Sequence, residues 1–382
     1  MEIGLFKKIG RIWPLKIDWP LFFAVMLLTL AGLFTMSTFS GDNSFFEKQL
    51  IWIVVCVAIF FLLSSMDFHF LRRSNILISL YLIITGLLIL LFIIGSVFQG
   101  ARSWFDFGFA SFEPVDFAKL ILILMLAKYF SRRHIEIADI KHIIVSGIYA
   151  SILFLLVLFQ PDFGSAIIIF FVWLGMVLVA GISRKHLLLV FLVGIISFSL
   201  LWFYAFEPYQ KQRIMTFLNP LTDIHGSGYN AYQATVAVGS GQIWGKGVGL
   251  GTQSKLEFLP EYQTDFIFAA FAEEWGFVGV IIIFALFGVV IWRIIVNAVE
   301  AESNFETLYG VGLAIFLLIQ FILHVGINIG LLPVTGTTIP FLSYGGSHLL
   351  TEFTGLGILM GMRRYSRGVQ RRDTHNEMIG IS

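Results

Sequence analysis

The chain has 382 residues, of which 58% are hydrophobic and 13% charged, with a formal net charge of +1. A soluble protein of that length needs far more polar surface to cover its core, so a water-soluble globular fold is excluded. The single cysteine, Cys56, sits in an apolar run and excludes an internal disulfide and a cysteine-based metal site.

A bilayer core of about 30 Å takes roughly 20 apolar residues per helix. Runs of that kind lie near 19–38, 49–65, 76–97, 114–130, 142–160, 164–182, 186–206, 265–296, 308–331 and 340–362. The first run lacks a small-residue cleavage site, so it reads as a spanning helix and not as a signal peptide. Basic residues alternate along the chain. Lys7, Lys8, Arg11 and Lys16, then Arg72 and Arg73, then Lys128, Arg132, Arg133 and Lys141 fall on alternate connections. Arg184 and Lys185, then Arg293, then Arg363, Arg364, Arg367, Arg371 and Arg372 continue the pattern. These are 18 of the 25 lysines and arginines, and the excess of positive charge on cytoplasmic loops places that side inside the cell.

The expected fold is therefore an all-α polytopic membrane protein of about ten transmembrane helices. It forms a single integral domain over 1–382 in the cytoplasmic (inner) membrane, with both termini cytoplasmic. A long extracytoplasmic loop, 207–264, joins helices seven and eight, and 363–382 forms a basic cytoplasmic tail. A connection of that length is usually functional or disordered.

Charged residues at membrane depth are costly and mark sites. In chain order, the first cluster is Arg102-Ser103-Trp104 with Glu113-Pro114-Val115-Asp116-Phe117-Ala118-Lys119. Asp116 and Lys119 share a helix face and can pair. They form a structural ion pair, or else Lys119, with Arg102, presents positive charge to an anionic ligand at the outer interface. The second cluster is Gln160-Pro161-Asp162-Phe163-Gly164, a tight turn in which Asp162 can cap the next helix. The third runs through Tyr209-Gln210-Lys211-Gln212-Arg213 and Gly228 to Gln233 into a glycine-rich stretch ending at Gly251. It contains no GxxxxGK[ST] and follows no strand, so a Walker nucleotide site is not indicated.

The fourth cluster runs from Pro260 and Glu261 to Asp265 and on to Glu273 and Glu274. Asp265 opens an apolar helix, where capping is the plain reading. Lipid-facing surface does not tolerate the two deeper carboxylates, which are expected to face a polar cavity. Last comes a short turn from Pro333 to Ser347 with two prolines and several hydroxyls, Ser343 among them. His324 and Asn328, one turn apart in the ninth span, read as a buried hydrogen-bonded pair.

These motifs resemble, in order and over essentially the whole chain, the SEDS family (shape, elongation, division and sporulation), within it the RodA-like branch. The resemblance rests on "EPVDFAK", "QPDFGSA", "YQKQR", the block "GSGQIWGKGVGLGTQSKLEFLPEYQTDFIFAAFAEEWGF" and "PVTGTTIPFLSYGGS". The "FLPEYQTDFIFA…AEEWG" block is its most specific part. The resemblance implies a peptidoglycan glycosyltransferase that polymerises lipid II at the outer membrane face for cell elongation and rod shape. It implies a class B penicillin-binding protein as transpeptidase partner, and it places the family's essential carboxylate on Asp265 and its lysine on Lys119. Here the sequence departs from the family at Glu113, where Gln is common, at Asp116, which shortens the usual Glu, and at "TGTTIP", where an apolar residue usually follows "TG".

Glycosyl transfer from a pyrophosphate-linked sugar needs a base for the acceptor hydroxyl and positive charge for the leaving group. The expected base is Asp265, and the expected anion binders are Arg102, Lys119 and Arg213. Asp116, Asp162, Glu261, Glu273, Glu274 and Ser343 are expected to support the site. A divalent cation such as Mg²⁺ suits this chemistry, although no ligand set is legible. No nucleic-acid partner is expected. The rival readings are a lipid II flippase or transporter and a non-catalytic scaffold for a cell-wall synthase. The absence of pseudo-symmetric halves and the gathering of polar clusters on one face weigh against a carrier.

Overall fold

The computed structural model describes residues 17–38, 44–98, 101–106, 108, 111–132, 139–204, 206–219, 226–256, 258–259 and 261–379. The basic residues Lys7, Lys8, Arg11, Lys16 and Arg133 lie outside this set, as do the side chains of Arg102, Arg364, Arg367, Arg371 and Arg372.

The long helices are α1 (Trp19–Ser37), α2 (Ser44–Ser65), α3 (Ser74–Ile94), α4 (Pro114–Ser131), α5 (Ile140–Phe159), α6 (Phe163–Ala180) and α7 (Arg184–Tyr204). Two loop helices follow, α8 (Pro208–Leu218) and α9 (Ser227–Ser240), and then α10 (Ile267–Val299), α11 (Asn304–Asn328) and α12 (Gly346–Ile379). Every expected span falls on one of the long helices. Among the described residues, eight helices are long and apolar enough to cross a membrane. The other two long ones, α4 and α12, are the helices that carry Asp116 and Lys119 or continue into the basic tail. The protein is an all-α polytopic membrane protein. It carries one small addition the hydropathy pattern did not announce, an antiparallel sheet of β1 (Ser96–Phe98), β2 (Ala101–Asp106) and β3 (Ser111–Phe112) in the connection before α4.

Burial explains the arrangement. Thirteen of the eighteen residues of α4 are buried, so it is a central helix, packed against α3, α6 and α11. At the other extreme α7 buries only Val190 and shows apolar side chains all round, as a lipid-immersed helix does. The helix α12 packs along α2, and α10 lies between α1 and α11.

The alternation of basic connections is also geometric. Asp18 caps α1 by accepting from the Leu21 N–H at 3.1 Å. It also pairs with Arg293 at the far end of α10 at 2.6 Å and with Arg363 of α12 at 2.9 Å, and accepts from Asn297 at 2.9 Å. Arg72, before α3, pairs with Glu306 in the first turn of α11. Residues from connections of one parity thus meet on one face. Burial alone would raise the Asp18 carboxyl, but the hydrogen bonds from Arg293, Asn297 and Leu21 hold it below the usual range. In its described part the expected tail 363–382 continues α12 without a break to Ile379.

The eighth span needs a correction. A straight α10 of 33 residues would be about 50 Å long, well beyond a bilayer core. It is broken at Gly276, whose backbone stands at φ 65 and ψ −166. The rings of Phe268 and Phe284 are 6.3 Å apart, whereas their Cα atoms would be about 24 Å apart on a straight helix. The chain folds sharply at Gly276, and the part from Phe277 to Val299, about 34 Å long, is long enough by itself to span.

Candidate active site

The glycine-rich stretch fills the break. At Gly276 the helix loses its own bonds from residues 277 and 278 to residues 273 and 274. The N–H groups of Phe277 and Val278 instead donate to the carbonyls of Gln242 and Ile243 at 2.9 and 3.1 Å. The N–H groups of Lys246 and Gly247 in turn donate to the carbonyls of Glu273 and Glu274 at 2.9 and 3.1 Å. Unsatisfied backbone groups are excluded from a lipid-depth fold, and the loop meets that demand.

The same loop takes up the two deep carboxylates. Glu273, fully buried, pairs with Lys246 at 2.6 Å and accepts from the Thr252 N–H and hydroxyl, both at 3.0 Å, and from the Gln253 N–H at 3.1 Å. Glu274 accepts from the Thr38 hydroxyl at 2.7 Å and the Gly249 N–H at 3.0 Å. The polar space expected in front of these carboxylates is therefore occupied by the loop's own backbone. They anchor the loop and do not line an open cavity.

Asp265 is placed differently. It precedes the first helical residue, and the N-terminal cap position belongs to Phe266, without a side-chain cap bond. The plain capping reading of Asp265 therefore does not apply, and its carboxyl is left to other work. Its surroundings come from three parts of the sequence. The Asn328 amide donates to the Asp265 carbonyl at 3.0 Å, while its side-chain oxygen accepts from the Ala269 N–H at 3.1 Å. Ser343 donates to the Thr264 carbonyl at 2.8 Å, and the Tyr344 N–H donates to the Gln263 carbonyl at 2.9 Å. A methyl group added at Gly336 would meet Asp265 Oδ2 at 3.4 Å.

The turn holding Gly336 rests on the start of α6. A Cβ on Gly164 would lie 2.7 Å from Thr337 Cγ2 and 2.9 Å from the Thr335 carbonyl oxygen, which is why only glycine fits there. The turn is also held by His324, whose Nδ1 donates to the Thr337 carbonyl at 2.7 Å. The plain reading of His324 and Asn328 holds in part: Asn328 does donate to the His324 carbonyl at 2.9 Å, but both also fix the loops around Asp265.

Electrostatics distinguish the Asp265 carboxyl. Burial raises it to about 7; Glu261 adds repulsion, Arg213 pulls it down, and Asp162 adds further repulsion. Arg213, on α8, also lines a cleft of about 220 Å³ with Phe217, Tyr232 of α9 and Pro333. Glu261 accepts from the Thr264 hydroxyl at 3.3 Å. Asp162 caps α6 through the Ser165 N–H at 3.0 Å, as expected.

Lys119 is not on that cleft. It is buried and pairs with Asp116 at 2.9 Å. Asp162 lies within electrostatic reach of both Lys119 and Asp265, which makes the two parts neighbours. Behind Asp116 stand two residues that the sequence reading passed over. His348 lies 3.9 Å from Asp116 Oδ2 and is ion-paired with Glu352 at 2.7 Å. Two ionisable residues four apart within the last apolar run are themselves a membrane-depth signal. Gln49 of α2 is another omission: it donates to the Ser343 carbonyl at 3.3 Å and accepts from the Gly345 N–H at 3.2 Å. Among the described residues no group of three or more His, Cys, Asp or Glu could hold a metal ion.

A family model described as "Cell cycle protein", covering FtsW, RodA and SpoVE, matches residues 13–368. The chain belongs to this family. It is 36% identical over 353 residues to stage V sporulation protein E of Bacillus subtilis, covering 90% of this chain and 95% of that one. To the peptidoglycan glycosyltransferase MrdB of Escherichia coli it is 36% identical over 306 residues, 79% of each chain. Its fold is similar to that of the rod shape determining protein RodA of Thermus thermophilus, with a TM-score of 0.69 at 28% identity over 92% of this chain and 98% of that one. A chain from a peptidoglycan synthase complex, described as coordinating polymerization and crosslinking, matches with a TM-score of 0.79 at 29% identity, covering 92% and 98%.

Proposed function

We propose that this member of the family is a peptidoglycan glycosyltransferase that extends glycan strands from lipid II during cell elongation. The observation that carries the mechanism is Asp265: a carboxyl raised to about 7, set where three loops converge and within electrostatic reach of Arg213. A base is most effective when its pKa is near the working pH.

In the step we assign, Asp265 takes the acceptor hydroxyl proton. The freed oxygen forms a bond to the donor sugar's anomeric carbon as the bond from that carbon to the pyrophosphate oxygen breaks. The electron pair leaves with the pyrophosphate, and Arg213 and Lys119 stabilise its charge, with Arg102 as a third candidate. A Mg²⁺ ion, if used, would supply further charge to the leaving group. With Asp265, Glu261 and Asp162 as neighbouring carboxylates, it would take most of its ligands from pyrophosphate and water.

The orientation that suits this chemistry puts both termini in the cytoplasm and Asp265 at the outer face, in keeping with the basic connections. The transpeptidase partner is a class B penicillin-binding protein. This is supported by the likeness to a chain from a complex that couples polymerization to crosslinking.

The test is glycan polymerisation by purified protein supplied with lipid II and Mg²⁺, with and without that partner, alongside Asp265→Asn. Polymer from wild type and none from a folded mutant is the expected result. No polymer from wild type with a bound, competent partner would overturn the assignment and leave lipid translocation as the reading to test.

A further inference from the structure

Lys119 cannot serve an anion from where it stands. Its ammonium is buried and tied to Asp116, so reaching a pyrophosphate means releasing that carboxylate. A buried carboxylate without a partner is strongly unfavourable, and the release would be blocked unless another cation were at hand.

The interface of α4 and α12 holds one. Asp116 Oδ2 is buried, makes no hydrogen bond, and faces His348 Nδ1 at 3.9 Å. The other ring nitrogen is 2.7 Å from Glu352 Oε1. The second Glu352 oxygen is held by the Phe341 N–H at 2.8 Å, and the Gln320 amide nitrogen lies 3.2 Å from the ring. Asp116, Lys119, His348 and Glu352 are each at most 4% exposed. Two ionised acids and one lysine leave a net negative charge in the interior, and an imidazolium at His348, between the two carboxylates, balances it. The other titratable groups near the cluster are Glu113, Asp162, His324 and, beside Glu352, Cys56 of α2. Burial, with Asp116 and Asp162 beside it, holds the Glu113 carboxyl well above the usual range, so it adds no third negative charge.

We propose that His348 is a positioning residue, the reserve counter-ion of Asp116, which takes over that carboxylate when Lys119 turns toward the lipid-linked pyrophosphate. The proposal rests on the reading of Lys119 as an anion binder. With Lys119 withdrawn, one imidazolium bridges two carboxylates in place of two bare carboxylates. The role is therefore signed. Removing the imidazolium makes release harder, whereas removing the Glu352 charge leaves His348 wholly to Asp116 and makes release easier.

The experiment is steady-state polymerisation of lipid II by the full-length protein at fixed pH, with thermal midpoints to establish folding. His348→Gln is expected to raise KM about tenfold, with a smaller change in kcat, and Glu352→Gln to lower KM by about threefold. His348→Lys restores the charge and should return KM to within about threefold of wild type. If His348→Gln does not fold, the charge-balanced pair His348→Gln with Glu352→Gln takes its place, with the same expected rise in KM. A purely structural role would move His348→Gln and Glu352→Gln in the same direction, and that result, or no change in KM, overturns the proposal. Lys119→Gln separates the two readings. If it polymerises like wild type, the anion-binding role of Lys119 falls and the proposal with it. If it is folded and inactive while the His348 and Glu352 variants show no opposed effect, the counter-ion role alone fails.

Discussion

Gly276→Ala tests whether the glycine-rich loop completes the broken helix. The glycine stands at φ 65 and ψ −166, a region that side chains avoid at a cost of about 1–3 kcal/mol. A Cβ there would lie 2.2 Å from the Gly245 nitrogen, 2.6 Å from the Ile243 oxygen and 2.7 Å from the Trp244 carbonyl carbon. All three are backbone atoms, so the side chain cannot be accommodated by a rotamer change and the loop must retreat. Retreat breaks the four bridging backbone bonds of 2.9 to 3.1 Å, each worth about 1 kcal/mol net. With the strain, docking is weakened by roughly 5 kcal/mol, or a rise of about three and a half orders of magnitude in the undocked population. Where opening is fast, proteolytic nicking follows that population. Limited proteolysis of the purified protein should therefore cut the 241–258 segment far faster in the mutant. Gly288→Ala, where an added Cβ meets nothing within 4 Å on the same helix, is the control and should be cut like wild type. Equal nicking of Gly276→Ala and wild type would refute the account of the loop as the missing part of the helix.

Other consequences can be measured. Because burial raises the Asp265 carboxyl from the usual carboxylate range to about 7, polymerisation should climb as pH rises through about 7 and fall away below it; a flat profile from 5.5 to 8 would exclude Asp265 as the base. The same shift destabilises the folded state as pH rises through about 7, since the buried carboxyl favours its protonated form, and that stability is fully present only below the unfolded value. Asp265→Asn should thus be inactive yet melt at or above wild type at pH 8, with the difference vanishing near pH 4. Asn328→Leu removes the partners of the Asp265 carbonyl and the Ala269 N–H, at about 1–3 kcal/mol for each group left unsatisfied; a lowered melting midpoint and a fall in kcat are expected together. Gly164→Ala pushes the 335–337 turn against Asp265, and a displacement of about 1 Å at a catalytic group costs on the order of a hundredfold in rate. Polymerisation by that variant at the wild-type rate would show the turn to be uninvolved.

The sequence by itself determined the class and the places of the long apolar runs, and it supplied the expectation of which side faces the cytoplasm. Those follow from the bilayer, which demands apolar runs of fixed length and sorts basic loops to one side, so they are written locally in the chain. Asp265 and Asp162 could also be picked out locally, as ionisable groups at the ends of apolar runs, and Arg213 as a cation in the long loop beside them. Only the tertiary structure decided what each charge does. Glu273 and Glu274 read from the sequence as the deeper companions of Asp265 in one apolar helix, but the loop folded into the break at Gly276 uses them as anchors, and Asp265 stands outside the helix without a capping role. That break was itself illegible, because a glycine inside an apolar run is compatible with an unbroken membrane helix until a loop arrives to satisfy the freed backbone groups. The coupling of Lys119 and Asp116 to His348 and Glu352 was hidden for the same reason. The pairs lie on helices far apart in the chain, and a buried charge is given its partner by packing, not by its sequence neighbours.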